Sequence, residues 1–533
     1  MAKFSNAKQL SSFSHCKDNL GFKCSFICEM LKHSFIISFV ILSSYASIFA
    51  QVDNLEITWS EEIPAKKKLI TDIFSLGRSN EFFAINQSFR ISNREAVLQK
   101  YTNLEQITEV QLTQDYKRGK SVYQDIIELN NSLFMLTYGR DRIAKSLTVQ
   151  GIDAETLRPS GSEEIIYNVK LEKGARSSIG EYSRSVSPNE TKLAYVIEFP
   201  GDRKQEAKST VKLFNDNFEL LWKKNIVLKS TRELSQIYSI SVGDDGLVYI
   251  LSRVWDERRE RERNERNYEF YLTVVTENGE ETTRKLALED YFINELKLNI
   301  NTEGKLVCGG FYSNMRGVSE GVFYLSLNPE TFEIEKLSLK KFDLDFITDG
   351  LSNRAKQKTQ KRSKRGKDIG LAHVDFRDII MREDGGAVLV GEYVNIFTTT
   401  VTNADGSNSS TTNYHYDDIY VINIDPSGEI EWAKKISKIQ HSSNDGGFYS
   451  SFFLFVGEQE LNFFFNIREN RENILHAVSI DGTGNQVSKD IVNNNRKEKI
   501  KIRPKSCEQI SDSDFILFAL SRKHNKFARV TVR

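Results

Sequence analysis

A β-strand unit that recurs in register along the sequence is the feature that most constrains how this chain can fold. Short apolar runs bounded by Gly, Asn and Asp turns follow one another after residue 70, as expected for strands and hairpins. Segment 214–224 aligns with segment 424–434 so that Trp222 falls on Trp432. Further residues that align between two units are Gly304 with Gly385, Gly310 with Gly391, and Tyr312 with Tyr393. Such similarity at a fixed period is typical of a repeated structural unit.

Each unit consists of four predicted strands, with tight turns after the first and the third strand. First strands are predicted to begin near residues 71, 121, 181, 236, 291, 374, 449 and 502. Most of these intervals are close to the about 40–50 residues of a four-stranded propeller blade with its loops. We therefore predict an all-β fold, a β-propeller of about eight four-stranded blades. A seven-bladed ring and two stacked β domains are the alternatives.

The two ends of the repeat predict how the ring closes. The last unit stops at segment 528–533 after three strands, and segment 54–63 contains one strand that no unit uses. An all-β ring has to cover its open edges, and a strand from the N-terminal side can complete the last blade. We expect residues 51–533 to form a single β-propeller domain closed by this N-terminal strand.

An export signal is predicted at the N-terminus. Residues 34–50 form an apolar run that follows Lys32 and ends in small residues. A positive residue, an apolar stretch and a small residue at the cut are typical of a secretory signal peptide. Cleavage is predicted after Ala50, with Ala46 as the alternative, and an uncleaved membrane anchor is the competing interpretation. Met30 lies where such a signal peptide normally begins. The residues before Met30 are therefore predicted to be an over-called start, that is, a translation start assigned too far upstream.

Export and composition limit the classes of function. After removal of residues 1–50, the chain is predicted to be periplasmic or secreted, with no membrane span. The whole chain has 73 basic and 73 acidic residues, so no positive net charge favours nucleic acid and no such partner is expected. Only two cysteines, Cys308 and Cys507, remain after residue 50, too few for disulfide bonds to stabilise a domain of this size. We therefore predict two buried thiols.

Segment 418–432 carries a more specific pattern. It contains Asp418, an aromatic residue, an alternating apolar run, the Asp-x-Ser-Gly turn of residues 425–428, and Trp432. In these features it resembles a unit of the bacterial β-propeller repeat families. The resemblance implies the propeller fold but no particular activity, because such families are functionally mixed.

The long insertions of the repeat are all predicted on one side of the ring. In a four-stranded blade, the loop between strands two and three and the link to the next blade lie on the same side, which we name the insertion face. The segments in these positions are 201–208, 256–267, 341–370, 395–416 and 437–447. Loops of variable length on a rigid scaffold usually carry binding sites, which predicts a ligand on this face.

Candidate binding residues on the insertion face form two groups, of which the first is the basic run 354–367. It has eight basic residues in fourteen and no acid, and we predict a solvated, disordered loop that can contact an anionic glycan or an acidic partner. Its basic residues are Arg354, Lys356, Lys358, Lys361, Arg362, Lys364, Arg365 and Lys367. Segment 395–416 is rich in Thr, Asn and Ser and is predicted to be a flexible loop.

The second group consists of His373 with Asp375 and His415 with Asp417, at the edge of one blade. Metal sites need three or four ligands in fixed geometry. No third ligand can be placed from sequence spacing, so neither a metal site nor a cofactor is predicted. No catalytic residue is predicted either, because the sequence contains no HExxH, phosphate-loop or GxGxxG motif.

Two functions are compatible with these patterns. The first is a binding or scaffold protein of the cell envelope that holds a protein or glycan partner on the insertion face. The alternative is a glycan-active or other hydrolytic enzyme, which needs carboxylates, His, Tyr or Arg that converge on the central channel from several blades. Because the sequence offers such groups from one blade, the binding protein is the favoured hypothesis.

Overall fold

The computed structural model describes residues 55–533 with short gaps, so the signal segment predicted at 1–50 lies outside the described residues. The gaps are 65–67, 78–79, 89–95, 113–114, 117–118, 121, 141–143, 171–181, 199–201, 264–266, 302–303, 315–317, 403–404, 470–471, 494–499 and 521–523.

The described chain begins with two short strands that precede the first blade, β1 (Leu55–Trp59) and β2 (Ile63–Pro64). Blade 1 consists of β3 (Lys68–Phe74), β4 (Glu81–Ser88), β5 (Ala96–Thr102) and β6 (Glu105–Gln111). The link to blade 2 contains β7 (Asp115–Tyr116) and β8 (Gly119–Lys120). Blade 2 consists of β9 (Val122–Leu129), β10 (Ser132–Arg140), β11 (Ala144–Ile152) and β12 (Pro159–Lys170).

Blades 3 to 5 repeat the same antiparallel meander. Blade 3 consists of β13 (Tyr182–Val186), β14 (Lys192–Glu198), β15 (Glu206–Asn215) and β16 (Leu220–Thr231). Blade 4 consists of β17 (Ser235–Val242), β18 (Val248–Trp255), the helix α1 (Arg258–Arg263), β19 (Tyr268–Val275) and β20 (Glu281–Leu286). Blade 5 consists of β21 (Phe292–Ile300), β22 (Leu306–Ser313), β23 (Gly321–Leu327) and β24 (Ile334–Lys341).

Two helices, α2 (Leu344–Thr348) and α3 (Asn353–Ser363), link blade 5 to blade 6. Blade 6 consists of β25 (Val374–Met381), β26 (Ala387–Thr402), β27 (Asn408–Ile424) and β28 (Ile430–Ile436), and the following β29 (Gln440–Ser443) returns to pair with β27. Blade 7 consists of β30 (Phe453–Val456), β31 (Glu460–Glu469), β32 (Glu472–Asp481) and β33 (Gln486–Asn493). Blade 8 consists of β34 (Lys501–Ile502), a 3-10 turn (Pro504–Ser506), β35 (Glu508–Gln509), β36 (Asp514–Leu520) and β37 (His524–Val532).

The N-terminal strand closes the ring, as predicted. Strand β1 pairs antiparallel with β37, from Leu55 opposite Val532 to Trp59 opposite Ala528, and becomes the outermost strand of blade 8. The described residues thus form eight antiparallel blades of four strands, which confirms the predicted all-β propeller with eight blades.

The core lies between the blades. Among the described residues, eight apolar clusters each join two neighbouring blades, and together they run around the whole ring. At the closure, Phe82 and Tyr101 of blade 1 pack against Phe518 and Phe527 of blade 8. Each fully buried side chain of this size contributes about 1.5–3 kcal/mol.

The predicted flexible loop at 395–416 is a β-hairpin instead. Strands β26 and β27 continue past the blade and stay paired from Val394 opposite Tyr416 to Thr402 opposite Asn408. The Thr content that indicated flexibility has the opposite effect, because β-branched side chains favour strands. Hydroxyl pairs across the hairpin add to this preference, with Thr398 bonded to Thr412 and Thr400 bonded to Ser410 at 3.0 Å each.

The predicted disordered loop at 354–367 is helical over most of its length. The side chain of Ser352 caps the N-terminus of α3 by accepting a hydrogen bond from the backbone N–H of Ala355 at 3.4 Å. Lys, Arg, Gln and Ala are strong helix formers, and their long side chains separate the charges in water. Helical propensity therefore outweighs the like-charge repulsion that indicated disorder.

Cys308 and Cys507 are both buried, free thiols, as predicted. Burial raises the pKa of both thiols, that of Cys507 to about 12, so neither is a reactive thiolate at neutral pH. In the described part of the chain, no helix is long and apolar enough to cross a membrane.

Candidate functional site

The insertion face of blade 6 carries a three-stranded sheet that projects beyond the ring. We name it the blade 6 extension; it consists of residues 394–402 and 408–416 of the hairpin together with β29. Its surface includes large apolar side chains that are half or more exposed, Ile396 (51%), Val401 (57%) and the neighbouring Ile439 (74%). Ile396 and Val401 are five residues apart on β26 and therefore lie on opposite faces of the sheet, so both faces of this projecting element offer apolar contacts to a partner.

Helix α3 carries the first predicted group of binding residues. Arg354, Lys356, Lys358, Lys361 and Arg362 lie in the helix, and none of its side chains is buried. The remaining three basic residues follow its C-terminal end: Lys364, Arg365 and Lys367. The helix follows the turn at Gly350, which lies against Ser437 at the start of the link to the extension.

The structure divides the second predicted group. His373 packs edge-to-face on Tyr393, and Asp375 pairs with Arg377 at 2.7 Å. His415 and Asp417 lie two residues apart on β27, where a third group joins them.

That third group is His441, which the sequence analysis did not identify. It lies on β29 directly opposite His415, and the two imidazoles stack with 3.9 Å between ring centroids. The Nε2 atom of His441 is 3.2 Å from the Oδ2 atom of Asp417. One ligand atom from each of these side chains lies within 4.8 Å of the other two. Nothing in the spacing along the chain indicates His441, because β29 was predicted as part of a loop.

A buried ion cluster fixes the base of the extension. Glu392 on β26 and Lys438 in the link before β29 are fully buried and bonded at 2.8 Å. The other carboxylate oxygen of Glu392 accepts hydrogen bonds from Arg377 and from Ser451. Lys438 also donates to the carbonyl oxygen of Tyr416 at 2.9 Å. Burial lowers the pKa of Lys438, and the charge of Glu392 opposes this shift.

The central channel is the second candidate site. The innermost strands of blades 1 to 6 and Glu508 of blade 8 enclose a cavity of about 600 Å³. Carboxylates line it from five blades, and three of them are aspartates of innermost strands, Asp72 on β3, Asp125 on β9 and Asp378 on β25. The expectation that polar groups converge from one blade was therefore wrong. That expectation considered only residues near the long loops, whereas Asp72, Asp125 and Asp378 belong to the innermost strands.

A repeated bulge positions the three carboxylates. In β3, β9 and β25 the register against the second strand skips the residue before the aspartate. Each aspartate then accepts a hydrogen bond from the next backbone N–H, at 3.2 Å for Asp72, 3.0 Å for Asp125 and 2.9 Å for Asp378. The sequence does contain a signal for this site, because Asp-Ile recurs at 72–73, 125–126 and 378–379.

Electrostatics single out one part of the channel. Arg184 on β13 pairs with Asp125 at 2.6 Å. Desolvation in the narrow channel raises the pKa of Asp72 to about 6, and the negative charge of Asp125 adds to the rise. Desolvation also raises the pKa of Asp125, which Arg184 partly counteracts. A carboxyl group with a raised pKa beside a second carboxylate can exchange protons near neutral pH.

The sheet order defines this chain as an eight-bladed β-propeller with its insertions on one face. No protein-family model and no curated protein matches the sequence. Among solved structures it is similar to Sqt1 from Chaetomium thermophilum, with 9% identity over 89% of this chain and 98% of that chain and a TM-score of 0.40. It is also similar to the β-propeller domain of the Trilobed protease from Pyrococcus furiosus (10% identity, 81% and 97% covered, TM-score 0.35). The polysaccharide lyase Uly1 is a further similar structure (11% identity, 89% and 99% covered, TM-score 0.33).

These three TM-scores are below 0.5, so the similarities transfer neither activity nor ligand to this chain. The fold class rests on the sheet order of the chain itself.

Proposed function

We propose that the chain is an exported binding protein of the cell envelope that holds an anionic protein or glycan on its insertion face. Helix α3 is the observation that carries this proposal. It has eleven residues, of which five are basic and none is acidic, and none of its side chains is buried. A helix of this kind adds nothing to the core, whereas its positive field attracts anionic partners.

Two neighbouring features support the same face. The blade 6 extension adds exposed apolar side chains to the insertion face. The cluster around Glu392 and Lys438 anchors the base of the extension, and an anchored surface loses less entropy on binding. The proposed export to the periplasm or the medium rests on the sequence of residues 34–50. The proposed location in the cell envelope rests on the same segment.

The test compares two variants with equal loss of charge. The purified chain 51–533 is applied to a glycan array with sulfated and uronic-acid glycans and to envelope extract. In the α3 variant, Lys358, Lys361 and Lys364 are replaced by Gln. In the control variant, the exposed Lys223, Lys229 and Lys434 of the outer strands β16 and β28 are replaced by Gln.

We expect the α3 variant to bind about tenfold more weakly, at roughly 0.5 kcal/mol per exposed charge. The control variant should bind like the unmodified chain. Equal affinities of both variants for every ligand found would contradict the proposal. Surface substitutions are preferred to removal of the whole 341–370 segment, because Phe342 and Ile347 in that segment are buried in the core between blades 5 and 6.

A second candidate function is hydrolysis in the central channel, and the arrangement of Asp72, Asp125 and Arg184 favours it. A carboxyl group with a pKa of about 6 can act as a general acid, with a second carboxylate beside it. The test is turnover of array-bound glycans by the unmodified chain and by Asp72→Asn and Asp125→Asn. Turnover that both variants lose would favour the enzyme, and the absence of turnover with every bound glycan would count against it.

A further inference from the structure

We propose that His415, Asp417 and His441 bind one divalent transition-metal ion of the Zn²⁺ class on the insertion face. This site goes beyond the proposed partner binding, since it needs no partner. Two imidazoles and one carboxylate are a ligand set that suits zinc and its neighbours, whereas Mg²⁺ and Ca²⁺ prefer oxygen ligands alone.

Strand geometry brings the three ligands together. His415 and Asp417 are two residues apart on β27, so their side chains lie on the same face of the extension. His441 is the cross-strand partner of His415 on β29. The candidate ligand atoms lie within 4.8 Å of one another. Around a tetrahedral Zn²⁺, with bonds of about 2.0–2.1 Å, ligand atoms are roughly 3.4 Å apart. The side chain of His441 is 50% exposed, so its rotation can bring the ligand atoms to this shorter separation.

The two imidazole rings stack with 3.9 Å between their centroids, so they have to turn apart before the planes of both rings can contain one metal ion. Phe397 packs edge-to-face on His415 at 5.3 Å and limits the orientations of that ring.

The groups behind the ligands hold them in place. The Oδ1 atom of Asp417 accepts a hydrogen bond from the backbone N–H of Gln440 at 3.1 Å, which leaves Oδ2 directed at His441. The side chain of Gln440 is buried and bonded to Lys438 and to the carbonyl oxygen of Asn466. Such supporting hydrogen bonds orient metal ligands and raise their affinity.

Three protein ligands leave at least one coordination position open, as in sites where a metal also binds water or an external group. Because His441 is half exposed, this position faces the solvent on the insertion face. The ion would also cross-link β27 and β29, and so stabilise the extension.

The experiment is calorimetric titration of the purified, EDTA-treated chain 51–533 with Zn²⁺ alone and with Mg²⁺ alone. His476 provides a matched control, because it pairs with Asp490 at 2.7 Å and, among the described residues, no third metal-ligating group joins the two. We expect one Zn²⁺ per chain and no saturable Mg²⁺ binding. His441→Ala should weaken Zn²⁺ binding by about 100-fold, and His476→Ala should leave it unchanged.

A second measurement guards against loss of structure in the variants. Asp417→Asn keeps the shape of the side chain and should also weaken Zn²⁺ binding, while both variants should melt within about 2 °C of the unmodified chain without metal. The proposal is overturned if no saturable Zn²⁺ binding occurs, or if His441→Ala binds Zn²⁺ as tightly as His476→Ala does. Neither result depends on whether α3 binds a partner, so the two proposals fail separately.

Discussion

Glu392 is a carboxylate without solvent contact whose partners come from three separate segments. Arg377 lies on β25, Lys438 in the link after blade 6, and Ser451 in the link before β30. The sequence pattern around Glu392 resembles any buried strand, so its role could not be predicted. The role of Glu392 is set by its tertiary contacts with two cations from other segments, Arg377 and Lys438.

The Glu392→Gln substitution should therefore be costly. It leaves the buried charge of Lys438 without its counter-ion, and loss of one member of a buried pair costs about 3–5 kcal/mol. Glu383→Gln changes the same group at an exposed position and should stay within about 0.5 kcal/mol. Urea unfolding of the three proteins measures this difference. Equal stabilities of the two variants would show that the cluster is dispensable.

Asp72 should make the free energy of unfolding depend on pH, in the direction that its raised pKa determines. Its pKa of about 6 lies above the ordinary value of 3.8, so the protonated form is favoured by folding. The stability that Asp72 contributes is fully present below pH 3.8 and is lost as the pH rises through about 6. Relative to the unmodified chain, Asp72→Asn should therefore become more stable as the pH rises from 4 to 7.

Asp153 supplies a control of opposite sign. Hydrogen bonds from the backbone N–H and the hydroxyl of Thr156 lower its pKa. Asp153→Asn should therefore lose relative stability as the pH rises from the most acidic values toward 3.8, and should change little at higher pH. Denaturant unfolding at several pH values measures both differences. A flat difference curve for Asp72→Asn would contradict the raised pKa.

At the scale of elements, the insertions show what local sequence can and cannot predict. The position of α3 and the hairpin on one face follows from the four-strand repeat and was predicted. Their secondary structure was not, because composition alone cannot separate a solvated helix from a disordered basic run. The third ligand His441 was missed for a different reason, since the register of β29 against β27 is set by contacts across the link.

Helix α3 should be stable locally and independent of the core. Lys358→Gly should weaken the helix by about 1 kcal/mol relative to Lys358→Ala and speed hydrogen exchange across residues 353–363. Global unfolding should differ by less than about 0.5 kcal/mol between the two variants, because none of the side chains of α3 is buried. A large drop in global stability would mean that α3 supports the ring.

At the scale of the whole molecule, the repeat period was sufficient to predict the architecture. The eight predicted first-strand positions lie within four residues of the observed strand starts, from Lys68 in blade 1 to Lys501 in blade 8. Closure by the N-terminal strand was predicted because an open edge is unfavourable in an all-β ring. The channel carboxylates were missed even though Asp-Ile recurs, because only the ring brings the innermost strands of blades 1, 2 and 6 around one cavity.

Removal of residues 51–60 should expose the edge of β37 and open the ring. Leu55, Ile57 and Trp59 pack on the core between blades 7 and 8, so the truncated chain should melt at a lower temperature and self-associate through its free edge. Replacement of the outward-facing Glu56 and Thr58 by Ala should change neither property. Thermal melts and sedimentation provide the comparison, and a truncated chain that stays monomeric with unchanged melting would argue against closure by β1.

The most direct test of partner binding on the insertion face is hydrogen exchange of the chain 51–533 with and without a ligand from the glycan array or the envelope extract. We predict that the ligand slows exchange at residues 353–363 and in the blade 6 extension, and leaves the innermost strands unchanged. Slower exchange confined to β3, β9 and β13 would contradict this account and assign binding to the central channel.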